Sequence, residues 1–524
     1  MEITTLIFFS FVFITAVIYY LIPKNYQWIL LLIVSLIFFV ANSAVLTLMM
    51  IASTAIIHFS GIVLENNNTI YKNKKKDTSK DDRIVLKEKF NKKQKHITVI
   101  AIVGIVSMLF FTKYINFLGN ILNTVGSLFN VDSFIPVFNI ILPLGISYYT
   151  LMSISYVVDV KRGVIKAERN PFRLLLYVCY FPHIVEGPFD RYNNLNSQFR
   201  THHKFNINEF SDAIIIILFG LLKKLVVADR IGIYVSEYFE KSESNSLIGL
   251  GIATVMYTIQ LYTDFSGCID IVSGVSKLYG IKIAKNFRQP FFSKTVNEFW
   301  QRWHISLGEW LKEYVFYSVS LSNTFKKINK YSNNRIKNKH FASIVPLAYS
   351  LFFVLFIMGI WHGASVKYIV YGLYYYSIMM FGKLFEQCFD KSLMSLHIKK
   401  DNSVYKLIQL VRTFIIVNIG MLLFKSNTIT EFINSIISAL RTFKGTDLAN
   451  IIPERKELII AIFGILIVLI VDVIKEKGKS LLTIINNHCY LIKEVTIVVL
   501  LFIILLFGAY GVEYGEGAAL YAQF

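Results

Sequence analysis

The sequence predicts an all-α, polytopic integral membrane protein with about eleven to thirteen spans. The 524 residues are 55% hydrophobic and 17% charged, whereas an ordinary soluble domain carries roughly 25% charged residues. Uncharged apolar runs near the ~20 residues that cross a hydrocarbon core recur along nearly the whole chain, and lysine and arginine gather between them. We therefore expect one integral unit in the lipid bilayer, without an appended soluble domain.

Net charge and cysteine content bear on the partners and cofactors that this membrane protein is expected to have. A formal net charge of +20 would indicate nucleic acid as the partner of a soluble protein. Because the basic residues here lie between apolar runs, no nucleic-acid partner is expected. The four cysteines are far apart in sequence and form no CxxC pair, so they predict neither a disulfide framework nor a metal site. They are Cys179, Cys268, Cys388 and Cys489.

Residues 1–64 are predicted to form the N-terminal spans. The run Ile3–Ile22 has no basic segment before it, so it is expected to be a retained span and not a removed signal peptide. Two more apolar runs follow at 28–41 and 44–64. Residues 65–96 then form a strongly basic loop, which the positive-inside rule assigns to the cytoplasm. Three spans before a cytoplasmic loop put the N-terminus outside, with the protein in the cell membrane.

Residues 97–390 are predicted to form the core, and residues 391–524 the C-terminal spans. A second basic stretch, from Lys161 to Arg173, follows two core spans and again falls on the cytoplasmic side, so the predicted orientation is self-consistent. A third basic stretch is Lys326–Lys339. The spans predicted from residue 97 onward are 97–119, 134–158, 212–228, 248–266, 341–361, 366–386, 407–424, 457–474 and 491–510.

The stretch Asn286–Tyr317 is predicted to be one amphipathic helix, because it is too polar for a lipid-facing span yet contains three of the five tryptophans. At ~100° per residue its charged and apolar side chains separate onto opposite faces. The charged face holds Glu298, Arg302, Glu309, Lys312 and Glu313. The aromatic face holds Trp300, Trp303, Leu307, Trp310 and Leu311, with His304 at its edge. This pattern is typical of an interfacial helix with a structural histidine, and His304 as a site residue is the other interpretation.

His362 stands at the end of the uncharged run Ile344–Trp361. An ionisable side chain at membrane depth is costly and is by default a functional-site candidate facing a cavity. Gly359, Gly363 and Ala364 have little or no side chain, which would leave room for a substrate beside the imidazole. A neutral imidazole can take a proton from an alcohol that attacks a carbonyl. The alternative is a buried histidine hydrogen-bonded between helices, with the glycines serving close helix packing.

Two segments together are specific enough to indicate a family. FWQRWHISLGEWLKEYVF, which contains His304, and MGIWHGAS, which contains His362, resemble the two signature histidine motifs of the membrane-bound O-acyltransferase (MBOAT) family, bacterial branch. Within that branch the chain looks closest to alginate and cell-wall polysaccharide O-acetyltransferase membrane subunits, and its ending Ala519–Phe524 resembles theirs. The supporting segments are LPLGISYYT at Leu142–Thr150, FPHIVEGPFDRY at Phe181–Tyr192, YTIQLYTDFSGCID at Tyr257–Asp270 and KNFRQPF at Lys285–Phe291.

The resemblance implies a funnelled helical fold with re-entrant or interfacial helices and a catalytic core over 97–390. It implies that His362 is the general base or an acyl relay, and that His304 positions or polarises a reactant. The donor would be an acyl thioester, acetyl-CoA or an acyl carrier protein, arriving from the cytoplasm, with no permanently bound cofactor. The acyl group, most simply acetyl, would pass to a cell-surface polysaccharide, directly or through an extracytoplasmic serine-hydrolase-like acetyltransferase partner. A teichoic-acid D-alanyl transfer protein is the nearest alternative.

Further residues are predicted to contribute to the substrate site. A carboxylate at the centre of a membrane helix costs ~2.5–3.5 kcal/mol, so Asp264 and Asp270 require a partner or a water-filled cavity. They could orient an imidazole, or they could be structural and pair with an arginine or bind backbone groups. His202 and His203 lie in a polar loop without a second ligand pair and are expected to be solvated. The remaining candidates are Trp300, Trp303, Trp361, Tyr257 and Gln260.

Two functions of other classes stay open at this stage. A transporter or flippase for a cell-envelope precursor would also be polytopic. However, a transport path should leave a polar stripe on several spans and broken helices in matching halves, whereas the polar residues here gather around two histidine segments and one TDFSG segment. A non-catalytic scaffold that recruits an extracellular partner is the third interpretation.

Overall fold

A computed structural model describes residues 3–130, 135–138, 145–184, 186–240, 246–442, 455–487 and 490–510. These residues are almost entirely helical, and six of their helices are long and apolar enough to cross a membrane. The predicted all-α polytopic class is therefore confirmed. The chain divides into two compact units, Met1–Phe210 with Val275–Ala284, and Ser211–Gly274 with Lys285–Phe524. Three of the segments quoted above fall partly or wholly outside the described residues: Leu142–Thr150 at its first three residues, Phe181–Tyr192 at residue 185, and the ending Ala519–Phe524 entirely.

The six long apolar helices are fewer than the eleven to thirteen predicted spans. Polar residues and helix interruptions explain the difference in the core. The predicted span 212–228 is a helix only to Leu221 and continues as a π-helical segment that carries two lysines. The predicted span 248–266 lies in a longer helix, Leu247–Leu278, that holds two aspartates. The six helices are Lys24–Asn42, Ala44–Asp77, Asp82–Ser127, Lys339–His362, Ser403–Lys425 and Lys456–Glu476.

The first unit is an arrangement of helices around buried tyrosine and phenylalanine rings. Tyr156, Tyr177 and Tyr192 stack edge to face, with centroid separations of 5.1 and 5.2 Å. The hydroxyl groups of Tyr279 and Thr15 share a hydrogen bond of 2.7 Å, which connects the segment around Tyr279 to the first helix. The helices are α1 Leu6–Leu21, α2 Gln27–Asn42, α3 Ala44–Asp77, α4 Asp82–Leu109, α5 Ile115–Ser127, α6 Ile146–Arg162, α7 Pro171–Cys179, α8 Phe181–Ile184 and α9 Tyr192–Phe199.

The basic segment 65–96 is helical, not the loop that the sequence predicted. Helix α3 continues to Asp77 and helix α4 begins at Asp82, so only a four-residue turn separates them. Tyr71 and Phe90 contact each other across this helical hairpin at 5.5 Å between ring centroids. Lysine, glutamate and glutamine are good helix formers, which allows both helices to continue past their apolar parts.

The second unit contains the segments that carry both histidine motifs. Its helices are α10 Ile207–Leu221, which starts within the last residues of the first unit, α11 Asp229–Glu240, α12 Leu247–Leu278, α13 Val296–Arg302, α14 Ile305–Trp310, α15 Tyr317–Ser320, α16 Asn323–Arg335, α17 Lys339–His362, α18 Val366–Leu384, α19 Glu386–Ser395, α20 Ser403–Lys425, α21 Ile429–Arg441, α22 Arg455–Glu476, α23 Leu481–Asn486 and α24 Tyr490–Phe507. Two π-helical segments, Leu222–Ala228 and Leu311–Phe316, interrupt it. Such segments are frequent at functional sites.

Helices α17 and α18 approach each other closely through glycines. A Cβ atom on Gly359 would lie 2.3 Å from the carbonyl oxygen of Tyr368, and one on Gly372 would lie 2.2 Å from that of Leu355. Only a residue without a side chain fits at both points. This crossing fixes the end of α17, where His362 stands.

Candidate active site

The segment around His304 is a broken helix held by a short backbone clip. Helix α13 ends at Arg302, and α14 begins at Ile305, so the single helix predicted over 286–317 is wrong at its centre. Trp303 pairs with Phe287 in an isolated antiparallel bridge. The Arg288 N–H donates to the Arg302 carbonyl, and the Ile305 N–H donates to the Asn286 carbonyl, each at 2.9 Å. Four of the five residues of the predicted aromatic face are nonetheless buried, namely Trp303, Leu307, Trp310 and Leu311, and Trp300 is half-buried.

His304 occupies the break in a left-handed backbone conformation with a φ of 50°. That conformation is uncommon for residues other than glycine, although histidine adopts it more readily than most. Its Nδ1 lies 3.1 Å from the Asn286 side-chain oxygen, which also accepts the Ser306 hydroxyl hydrogen bond at 2.8 Å. Because this oxygen acts as an acceptor, Nδ1 of His304 donates to it. The lone pair of the imidazole is then on Nε2.

His362 is the last residue of α17, and aromatic rings surround its imidazole. The rings of Phe424 and Tyr371 stand nearly perpendicular to it, with centroids at 5.4 and 5.9 Å. The imidazole itself is only 2% exposed. Gly363 does not provide the expected open space beside it, because a Cβ there would lie 2.2 Å from the Tyr368 ring. The glycines near His362 therefore serve close packing, which corrects the interpretation that they leave room for a substrate.

The two histidine motifs, 58 residues apart in sequence, meet in one buried aromatic cluster. The His304 ring, also 2% exposed, contacts the Trp361 ring at 5.7 Å between centroids. Trp361 in turn contacts His362 at 5.1 Å. On its other side His304 packs against Phe265 of α12 at 4.9 Å. Five separate segments of the second unit supply this histidine cluster, which we define as His304, Trp361, His362, Phe265, Tyr371 and Phe424.

Of the two other predicted tryptophans, only Trp300 contacts a ring of this cluster. Trp300 packs its ring at 6.3 Å from Tyr371, a member of the cluster. It also meets Tyr375 edge to face at 4.9 Å. Trp303 packs against other rings and stacks on Phe299, with 5.5 Å between the ring centroids. Trp300 is therefore nearer to His362 by ring contact than Trp303 is.

The structure pairs the two predicted aspartates with lysines and not with a histidine. Asp264 is 1% exposed, and its carboxylate lies 2.6 Å from the Lys224 ammonium, which also pairs with Asp229 at 2.7 Å. Asp270 lies 2.6 Å from the Lys223 ammonium. Both lysines belong to the π-helical segment Leu222–Ala228. Buried charges of opposite sign satisfy each other here, as their cost in a low-dielectric interior requires.

Tyr257 and Gln260 lie on the same helix as Asp264. The Lys425 ammonium is 5.7 Å from the centre of the Tyr257 ring, and Lys425 is the neighbour of Phe424 in the histidine cluster. Gln260 is buried, and its amide nitrogen fills the space beside Gly232, 2.6 Å from where a Cβ would stand. Tyr257 thus approaches the cluster through Lys425, whereas Gln260 packs against α11.

Helix α22 is joined to the site segments by polar contacts. The Tyr262 hydroxyl donates to Asp472 at 2.7 Å. The guanidinium of Arg302, two residues before His304, reaches both carboxylate oxygens of Glu476, at 2.6 and 3.1 Å. A bidentate pair of this kind adds geometric specificity as well as energy. The predicted separate group of C-terminal spans thus includes a helix that helps to hold His304 in position.

Several residues of the site were missed from sequence. Lys223 and Lys224 carried a visible signal, because two adjacent charges interrupt an otherwise apolar run. Asn286 lay inside the quoted KNFRQPF segment, but nothing in its spacing linked it to His304. Tyr371 and Phe424 gave no signal, since aromatic residues are frequent throughout this chain, at 15%.

Comparison with known proteins identifies relatives for the central part of the chain. The sequence profile of the membrane-bound O-acyltransferase family matches residues 165–333, a segment that includes His304 but not His362. A probable alginate O-acetylase AlgI from Pseudomonas syringae pv. tomato is 31% identical over 334 residues, covering 63% of this chain and 58% of the relative. A teichoic acid D-alanyltransferase from Bacillus subtilis is 33% identical, covering 48% and 62%. A peptidoglycan O-acetyltransferase from Helicobacter pylori is 26% identical, covering 68% and 67%.

These similarities have a defined extent. The chain spans about half the length of the alginate O-acetylases that it matches. The similarity and the six membrane-crossing helices together describe a multi-pass membrane protein. Over residues 165–333 the chain matches the membrane-bound O-acyltransferase (MBOAT) family, and its relatives place the similarity in the bacterial O-acetyltransferase-like branch.

Proposed function

We propose that this protein is a membrane-embedded O-acyltransferase of the cell membrane. It moves an acyl group, most simply acetyl, from a cytoplasmic thioester toward an extracytoplasmic polysaccharide, or toward a serine-hydrolase-like partner protein that acylates one. The observation that carries the proposal is the meeting of His304 and His362 around Trp361, in a chain that matches the MBOAT family over residues 165–333. The relatives named for O-acetylation of alginate and peptidoglycan support acetyl as the group transferred.

His362 is the general base of the proposed reaction. An acceptor hydroxyl gives its proton to a ring nitrogen of His362 while the hydroxyl oxygen bonds to the carbonyl carbon of the thioester. The carbon–sulfur bond then breaks, and the imidazolium returns the proton to the departing sulfur. The products are an O-ester and a thiol, and the enzyme is restored. A positioned base of this kind contributes typically ~10²–10⁴-fold to the rate.

His304 acts as a positioning residue in this scheme. Its Nδ1–H is committed to the Asn286 oxygen, so its Nε2 accepts a hydrogen bond. An accepting nitrogen suits the hydroxyl of an incoming acceptor, which must be oriented before its proton is removed. The clip between 286–288 and 302–305 and the Arg302–Glu476 pair keep this imidazole in place.

Substrate access requires movement of the aromatic wall. Both imidazoles are 2% exposed, and a thioester and an acceptor must each reach His362. Tyr368, Tyr371 and Phe424 form the part of the wall that contacts His362, at 6.5, 5.9 and 5.4 Å between centroids. Ring rotation is a small motion compared with helix displacement, and closed walls exclude water, which would hydrolyse the thioester.

The proposal is tested with purified protein in proteoliposomes, isotope-labelled acetyl-CoA and an oligosaccharide acceptor. His362→Ala should lower the rate of ester formation by ~10²–10⁴-fold. His340→Ala is the matched control, because His340 lies at the other end of the same helix α17 and bonds the Lys383 carbonyl. Ester formation by His362→Ala at the parent rate would contradict the assignment.

A second variant separates positioning by His304 from folding. Asparagine tolerates the left-handed backbone conformation and can still bond Asn286. His304→Asn should therefore keep the melting temperature of the parent and lose activity mainly through a raised KM for the acceptor. If a well-folded His304→Asn protein had the same KM for the acceptor as the parent, His304 would not position the acceptor.

The same vesicles distinguish the alternatives. The D-alanyltransferase relative, at 33% identity, makes D-alanyl transfer a second candidate. Faster transfer from a D-alanyl carrier-protein thioester than from acetyl-CoA would select it. Movement of an unmodified solute across the vesicle, without covalent labelling of any acceptor, would select a transporter and contradict both acyltransferase proposals.

A further inference from the structure

A cleft of about 490 Å³ lies in the first unit, where helix α1 ends and α2 begins. Its volume is within the usual range of small-molecule sites. The walls come from residues 20–24 and 27 on one side and from residues 203–205, in the loop before α10, on the other. None of these residues belongs to the histidine cluster, and nothing proposed above uses them.

The cleft has a positive lining. Lys24 and Lys204 both line it, and no aspartate or glutamate does. Neither ammonium group forms an ion pair among the residues that the structure describes. The carboxylate of Glu209, which does not line the cleft, acts electrostatically on Tyr20 in the wall. Two lysines that line one opening can bind an anion with several acceptor oxygens, such as a phosphate ester.

The walls of the cleft are rigid. The Gln27 side chain bonds the backbone of His203 twice, accepting from its N–H at 3.1 Å and donating to its carbonyl at 2.9 Å. The Tyr20 hydroxyl donates to the Leu278 carbonyl at 2.7 Å. His203 was expected to be solvated, but it is half-buried, and its Nε2 lies 3.0 Å from the Gln198 carbonyl. A site held in this way does not have to be ordered when a ligand binds.

The position of the cleft along the chain indicates which phosphate esters reach it. Lys24 is the first residue of a helix that is long and apolar enough to cross a membrane, and the end of such a helix is expected at the level of the lipid headgroups. Leu21 and Phe205, at its rim, are exposed apolar residues. Apolar residues next to a basic opening at this depth match a lipid, whose phosphate would enter the cleft while its acyl chains run along α1.

We propose that this cleft binds a phosphate ester through Lys24 and Lys204, presented by an anionic phospholipid headgroup or by a soluble phosphate ester. The site is distinct from the acyltransferase chemistry and does not depend on it. Because each lysine near a membrane surface adds about fivefold in affinity, loss of both should weaken binding roughly 30-fold.

The test uses the full-length protein in nanodiscs and measures lipid binding by native mass spectrometry. The probes are phosphatidylglycerol, phosphatidylcholine and soluble glycerol 3-phosphate. The proposal requires that phosphatidylglycerol bind more tightly than phosphatidylcholine, and that K24Q/K204Q weaken it roughly 30-fold. The variant K87Q/K89Q removes the same charge from exposed positions of the α3–α4 hairpin and should bind as the parent does.

The remaining outcomes are also decisive. Competition by glycerol 3-phosphate at similar affinity would identify a soluble ester as the ligand, and its failure to compete would identify the lipid. The variant K24R/K204R keeps both charges and must retain binding, which guards against a folding artefact in the glutamine variant. Equal binding of the two lipids, or unchanged phosphatidylglycerol binding by K24Q/K204Q, would overturn the proposal.

Discussion

The carboxylate of Glu168 joins three pieces of the first unit. The Tyr192 hydroxyl donates to it at 2.6 Å, the Asn170 N–H donates to it at 3.0 Å, and the Arg200 guanidinium forms an ion pair with it. Its side chain is 5% exposed. Burial by itself would raise the pKa of Glu168, but the hydrogen bonds from Tyr192 and Asn170 and the pair with Arg200 outweigh burial and hold the pKa below its ordinary value. Its ionised form therefore stabilises the folded state.

Replacing Glu168 by glutamine should lower the free energy of unfolding by about 1–3 kcal/mol at pH 7, because hydrogen bonds to a charged group are lost. A depressed pKa gives stability that is complete above the ordinary carboxyl pKa of ~4.3 and is lost as the pH falls through the folded value. The difference between Glu168→Gln and the parent should therefore shrink below about pH 4. Thermal unfolding in detergent across pH measures it, with exposed Glu88→Gln as the unaffected control. A difference that stays constant down to pH 3 would be inconsistent with this role.

At the scale of helices, the crossing of α17 and α18 fixes the end of the chain segment that carries His362. The contacts at Gly359 and Gly372 are to backbone carbonyls, which cannot rotate away as a side chain could. An added methyl group must therefore push the two helices apart. A change in the packing of α17 against α18 should therefore also move the imidazole of His362.

Gly359→Ala should destabilise the protein by about 1–3 kcal/mol, the usual cost of overpacking, and should lower acyl transfer as well. Gly382→Ala, on the neighbouring helix α18, is the matched control because nothing lies within 4 Å of its added Cβ. There the better helix propensity of alanine should leave the protein unchanged or more stable by up to ~1 kcal/mol. Melting temperatures of the two variants make the comparison, and equal effects would refute a specific crossing at Gly359.

The segments around His304 and His362 could be predicted from the sequence only in part. Helical periodicity predicted the buried aromatic face of Trp303, Leu307, Trp310 and Leu311, because burial follows from spacing. It could not predict the break at His304, since the left-handed conformation there is imposed by the pairing of Trp303 with Phe287. The glycines near His362 were visible in sequence, but whether a substrate or a neighbouring helix fills their space depends on tertiary packing. The partners of Asp264 and Asp270 were likewise decided by the fold.

At the scale of the whole molecule, ion pairs anchor the C-terminal helices of the second unit. The Lys493 ammonium lies 2.7 Å from the Asp212 carboxylate, and both are largely buried. Arg230 pairs with Glu457 and also donates to the Phe507 carbonyl. With the contacts of Asp472 and Glu476, these pairs connect helices α22 and α24 to the segments around the site. Helices α22 and α24 are therefore part of the same unit as the histidine cluster, and removal of α22 should not leave an active core.

The predicted orientation in the membrane depends on helix α1. This helix has 16 residues, which at ~1.5 Å per residue reach ~24 Å, less than the ~30 Å of a hydrocarbon core. Local thinning of the bilayer accommodates a mismatch of this size at modest cost. If α1 crosses, the N-terminus is outside and the α3–α4 hairpin is in the cytoplasm, where its 11 lysine and arginine residues between 71 and 96 belong by the positive-inside rule.

Cysteine labelling in intact cells tests this orientation at both ends. Ser79→Cys, in the exposed turn of the hairpin, should react with a membrane-impermeant maleimide only after the cells are opened, in a background with Cys388 and Cys489 changed to serine. An epitope tag at the N-terminus should be accessible in the same cells before opening. A hidden tag with a hidden hairpin would mean that α1 does not cross, because one fewer span reverses the N-terminus alone. Labelling of Ser79→Cys in intact cells would instead mean that the whole protein has the opposite orientation. The cytoplasmic thioester donor of the proposed reaction would then meet the face assigned here to the outside.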